Sequence, residues 1–153
     1  MIRGAARVVP AILLIGLGGC HEPRSDGSVP TRLAPSPIPY FGDVPIPVGF
    51  TRDNDRSLDV VSGTVRMVRH VYHGKAELLA LRDFYGEQMP VGGWREMSRR
   101  FEEGLFSMRF EKEGESCEIK FFRKGGWSPG IEITIVVVPR NQSQPPPTMR
   151  RTS

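Results

Sequence analysis

The sequence predicts an α+β domain: an antiparallel sheet of about five to six strands with one helix packed on one face, in the order β-β-α-β-β-β-β. Three stretches carry this prediction. Residues 105–112 set Phe106, Met108 and Phe110 against Ser107, Arg109 and Glu111, the two-residue period of a strand with one buried face. Residues 75–89 repeat apolar groups at Leu78, Leu81, Phe84, Tyr85 and Met89, which fall on one side of a helix. Residues 131–138, IEITIVVV, are apolar on both faces in their second half, as suits a strand placed centrally or beneath the helix.

The remaining elements follow in order. Residues 44–50, VPIPVGF, form an extended lead-in whose Val44, Ile46 and Phe50 suit the cover of a sheet edge, while the prolines rule out a central strand. Residues 57–62 and 64–72 read as two strands around Gly63. Pro90 ends the helix because a residue before proline disfavours the helical region, and Gly92-Gly93 supplies the turn. Residues 94–101 start a strand at Trp94. Residues 116–123 alternate Cys117, Ile119 and Phe121 with Glu118, Lys120 and Phe122, before a glycine loop containing Trp127.

The first twenty residues are of another kind. MIRGAARVVPAILLIGLGGC has a basic start at Arg3 and Arg7, then an apolar run, then two glycines and a cysteine, the three regions of a secretory signal. The run is about 12 residues, roughly 18 Å as a helix against about 30 Å of hydrocarbon, too short for a permanent span. Leu17-Gly18-Gly19-Cys20 resembles the lipobox of bacterial lipoproteins. That resemblance implies a signal peptide over residues 1–19 and a Cys20 that carries a diacylglycerol on its thiol and a further acyl chain such as palmitate on its amine. Two or more chains anchor stably where one binds marginally. By the same resemblance, His21 after the cysteine, where an inner-membrane retention signal has aspartate, implies the outer membrane with the domain in the periplasm.

From Cys20 to residue 43 the chain is proline-rich and without period, and is expected to be a tether; 44–139 is the domain; 140–153, RNQSQPPPTMRRTS, is expected to be a disordered tail. As polyproline II at about 3.1 Å per residue, residues 21–43 would reach roughly 70 Å. Val44-Pro45-Ile46-Pro47, Phe84-Tyr85, Met89-Pro90 and Gly93-Trp94 are similar to a V-P-x-P lead-in and an F-Y-x-x-x-M-P-x-x-G-W block shared by a group of small, uncharacterised bacterial lipoproteins. The resemblance spans most of 44–139, supports anchor and fold, and implies no reaction.

Charge excludes one class. Residues 1–19 hold two of the 21 basic side chains, leaving 19 against 17 acidic ones, a formal +2, so nucleic acid is not an expected partner. With Cys20 acylated, Cys117 has no partner for a disulfide, and its strand position makes it a buried structural thiol. His70 and His73 form an H-x-x-H without a cysteine or carboxylate at zinc spacing, and read as surface or loop histidines rather than a metal site. Ser116 lacks the last glycine of a nucleophile elbow. No catalytic residue, metal or cofactor is expected. The candidate interface residues are Trp127, as an exposed aromatic, and Arg95, Arg99 and Arg100, as a basic patch toward an envelope protein or polymer. The expected role is a membrane-anchored, non-catalytic envelope module; the alternatives are a small-ligand binder or a hydrolase-type envelope enzyme. Oligomeric state has no signature in the sequence.

Overall fold

The computed structural model describes residues 32–126 and 130–140. Cys20, the expected signal and Trp127 lie outside them, as does the tail from residue 141 onward. The α+β expectation holds: among the described residues six strands form one antiparallel sheet with one α-helix. The strands are β1 (Thr51–Ser62), β2 (Val65–Gly74), β3 (Arg95–Glu102), β4 (Leu105–Lys112), β5 (Glu115–Lys124) and β6 (Gly130–Pro139). The helix α1 (Leu78–Gln88) lies between β2 and β3 in the chain, followed by a 3₁₀ turn at Pro90–Gly92. Spatially the order is β1-β2-β6-β5-β4-β3. The apolar strand β6 is therefore central, and β1 and β3 are the edges.

One sheet face forms the core. Val68 and Tyr72 of β2, Ile131, Ile133, Ile135 and Val137 of β6, Cys117, Ile119 and Phe121 of β5, and Phe106, Met108 and Phe110 of β4 share it by register and are all buried. Leu81, Phe84, Tyr85 and Met89 of α1 close over it, and Leu78 packs at its margin. The helix is shorter than the apolar period predicts because Glu77 is extended (φ −82°, ψ 139°) and its carbonyl accepts the first helical bond from Leu81. Two hairpins turn at Glu103-Gly104 and Glu113-Gly114, all four residues with φ between 43° and 86°, the backbone of a tight two-residue turn that follows the sheet twist.

The packed body begins earlier than residue 44. Leu33 and Phe41 lie against the core, Val44 and Ile46 belong to it, and bridges join Pro35 to Pro47 and Phe41 to Val44. Ser36 N–H donates to Ile46 O at 2.7 Å, and Val48 N–H to Ala34 O at 2.9 Å. The stretch expected to be tether through residue 43 is thus folded from residue 32. Its prolines suit a non-helical ribbon at a sheet margin, and its few large apolar groups suffice to dock it. Residues 32–50 are called the N-terminal strap below.

Candidate functional site

The strap meets the sheet at two polar clusters. The first is built around His70. This residue lies on β2 between Val68 and Tyr72, so its side chain points to the helix-covered face, and it is 2 % exposed. The reading of His70 as a surface or loop residue is therefore corrected: strand parity places it inward, and the strap supplies the cover. The Phe41 ring stacks on the imidazole with centroids 5.5 Å apart and planes 11° from parallel; Tyr40 meets it edge-on at 4.8 Å. Asp59 on β1 accepts a hydrogen bond from Nε2, and Nδ1 lies 3.1 Å from the Tyr72 hydroxyl. Arg52, also on β1, places Nη1 3.1 Å from Asp59 Oδ2 and 3.1 Å from His70 Nε2, donates from Nε to Asn54 at 2.9 Å, and stacks 4.2 Å from the Tyr40 centroid.

These contacts set protonation. Burial pushes the His70 imidazole below its usual range; Asp59 works against that, but its charge is already shared with Arg52. Burial likewise pushes Tyr72 up to about 12, so the phenol keeps its proton and donates it to Nδ1 of a neutral imidazole. Burial alone would raise Asp59, yet Tyr40, His70 and Arg52 hold it below the ordinary carboxylate value. Both ring nitrogens of His70 are occupied and the ring is enclosed. It is a structural member of a hydrogen-bonded network and has no nitrogen to offer as a general base.

The second cluster is a set of charges. Arg66 of β2 donates to Asp43 at 2.9 and 2.6 Å and to Glu115 of β5 at 2.9 Å from both Nε and Nη2. Lys112 adds bonds to Asp43 at 3.2 Å and to the Gly92 carbonyl at 2.9 Å, and Trp94 Nε1–H donates to the Asp43 carbonyl at 2.8 Å. A Cβ on Gly92 would stand 2.3 Å from that same carbonyl, so glycine is required by close approach. The glycine and tryptophan after the helix therefore grip the strap at the residue preceding its Val-Pro-Ile-Pro run. Burial would raise the Asp43 carboxyl, but Arg66 and Lys112 hold it low.

The remaining polar groups are distributed, not convergent. His73 has the opposite strand parity to His70, so the two do not face one site; it lies 3.1 Å from Asp53, while Arg56 makes paired 2.8 Å bonds to Glu132. Among the described residues no group of His, Cys, Asp and Glu is arranged to hold a metal. Cys117 is buried as expected, and burial pushes its thiol up. The basic patch is split. Arg95 and Arg100 pair opposite Glu111 and Ser107 on the open face, whereas Arg99 pairs opposite Met108 on the helix side and donates to Glu96 at 2.9 and 2.8 Å.

The space between helix and sheet is filled by side chains with no exposure, Leu81, Tyr85 and Met89 against Phe110, Ile119 and Ile133. An open depression of about 670 Å³ lies instead beside the first cluster, lined by Ile38, Tyr40, Phe50, Arg52, Asn54 and Tyr72. The sequence reading missed Tyr40, Phe41, Asp43, Arg52 and Asp59. The signal that was available is the aromatic pair itself, since two adjacent rings in a polar, proline-rich stretch have to be covered by something. No family model, curated protein or solved structure matches the chain.

Proposed function

We propose that the chain is a lipid-anchored bacterial lipoprotein, acylated at Cys20 and held in the periplasm at the outer membrane. Its domain acts as a non-catalytic module that binds or positions a protein or polymer of the envelope. The observation that carries the reading is the docked strap. Because residues 32–43 pack on the sheet, only the eleven residues 21–31 separate the cysteine from the folded body. Extended as polyproline II at about 3.1 Å per residue they reach about 34 Å, half the expected tether. An acylated Cys20 then holds the domain close to the bilayer rather than deep in the periplasm. The chemistry-bearing side chains support the non-catalytic part, since His70 is committed to Asp59 and Tyr72, and Cys117 is buried as a thiol.

The test is the intact mass of the protein from membranes, wild type beside Cys20→Ser, before and after detergent extraction. A mature chain beginning at Cys20 with added acyl mass, absent from the variant together with membrane association, supports the proposal. An unacylated, soluble wild type overturns it.

A further inference from the structure

The two edges of the sheet are defended unequally. Edge strand β3 carries Arg95, Glu96, Arg99, Arg100 and Glu102 and is broken by a bulge between Glu96 and Ser98. Charges and bulges are the ordinary means by which an edge is kept from pairing with another chain. Edge strand β1 has a bulge in its first half only: pairing to β2 jumps from Asp53–Val71 to Leu58–Arg69, leaving Asn54 to Ser57 without ladder partners. From Leu58 to Ser62 the ladder to β2 is regular, and among the described residues no strand pairs with its other side.

That stretch is apolar and exposed. Leu58 is 62 % exposed, Val60 49 % and Val61 63 %, and on the adjoining strand Val65 and Met67 are 49 % and 53 % exposed. Leu58, Val60, Val65 and Met67 share the open face by register, which makes one continuous patch running to the edge. The single charge in the stretch, Asp59, is already bound by Arg52 and His70. A partner strand for this edge must therefore be short and largely apolar, with no acidic side chain set directly opposite Asp59.

The chain carries such a strand in β1 itself. We infer that the Leu58–Ser62 edge pairs antiparallel with the same segment of a second copy, about a two-fold axis normal to the sheet at Val60. A two-fold of this kind keeps both helices on one side and opposes residues of like parity. Centred on Val60, it sets Leu58 against Ser62, Asp59 against Val61 and Val60 against its own copy, with no like charges opposed. Centred on Asp59 it would oppose two carboxylates; centred on Leu58 it would run into the bulge. The Val60 register alone uses all five regular residues. A five-residue ladder is smaller than the about 1,200 Å² of a stable standard interface, so the dimer is concentration-dependent.

Sedimentation equilibrium on the full chain in detergent solution tests this. The wild type is expected to shift from one to two copies with rising concentration. Val60→Lys and Val60→Glu, each of which opposes like charges across the axis, are each expected to remain monomeric, and their equimolar mixture is expected to dimerise again. That recovery separates lost pairing from misfolding. Met97→Lys, at a 47 % exposed site on β3, the opposite edge of the sheet, should leave the dimer intact. A wild type that is monomeric up to about 1 mM, or a dimer that survives Val60→Lys, overturns the inference.

Discussion

At Asp43 the N-terminal strap is held by a clasp of charges, and two to three residues earlier, at Phe41 and Tyr40, it is held by an uncharged imidazole in an aromatic box. Phe41 belongs to both, with one contact to the His70 imidazole and the Arg66 guanidinium 5.1 Å from its centroid. The two junctions respond to different perturbations. Removing one member of the charge cluster strands the others. Protonating the box puts a charge where the surroundings have no opposite charge to spare.

The largest expected effect comes from Arg66→Met. The substitution keeps the apolar stem and leaves Asp43 and Glu115, whose side chains are 21 % and 19 % exposed, without their main partner. Breaking a buried pair from one side costs about 3–5 kcal/mol; with this residual exposure we expect the lower end, about 3 kcal/mol, from urea unfolding. A loss under about 1 kcal/mol would mean that the strap is held by its apolar groups alone. Gly92→Ala attacks the same junction without touching a charge, by driving a methyl into the Asp43 carbonyl. About 2 kcal/mol is expected, within the range for backbone displacement in a packed region. An unaltered Trp94 emission spectrum alongside an unaltered midpoint would sink this account, because Trp94 bonds the same carbonyl.

The box is separated from the clasp by pH. His70 is held below the usual imidazole value in the folded chain, so below about pH 6.5 the unfolded chain takes up protons that the folded chain refuses. Stability is fully present above that pH and falls as pH drops toward the folded value. Asp43 and Asp59 are held low, so their contribution is lost only below the ordinary carboxylate range. Between about pH 6.5 and 4.5 the box changes and the clasp does not. Urea midpoints across that window should decline for the wild type and decline less for His70→Gln, whose amide can still donate to Asp59. Equal slopes would remove His70 from the account, whatever His73 contributes, since both proteins carry it.

Much of the fold was legible because its signals are local. The alternation of Phe106, Met108 and Phe110 survives as the buried face of β4, and the stripe from Leu78 to Met89 is the face that α1 turns to the sheet. The strap was not legible because its interactions span long separations: Asp43 to Arg66, Lys112 and Trp94, and Tyr40 to His70. Proline content predicts extension and carries no signal of contact, yet extension is also what a ribbon along a sheet margin needs. His70 was misplaced for the same reason. Its parity on the strand was clear, but which face would be covered depended on residues thought to be tether. The arginines of β3 show the reverse: adjacency in sequence suggested one patch, and strand parity divided it.

The smallest expected effect is at Tyr40, where the box has a feature that the clasp lacks. Tyr40 is about half exposed, so its value lies in what its ring faces rather than in buried area. Tyr40→Leu keeps apolar cover over His70 and deletes both the face on which Arg52 stacks and the hydroxyl that helps hold Asp59 low. A cation over an exposed ring is worth about 0.5–1 kcal/mol, and a loss of that size is expected. Paired with Arg52→Met in a double-mutant cycle, the two losses should fail to add by about that amount, since the residues are in contact. Strict additivity would mean that Arg52 serves Asp59 alone and that the ring is only a lid. The pH slope then discriminates further: with Arg52 removed, Asp59 regains an uncompensated charge beside His70. The imidazole should become easier to protonate, and the decline below about pH 6.5 should flatten.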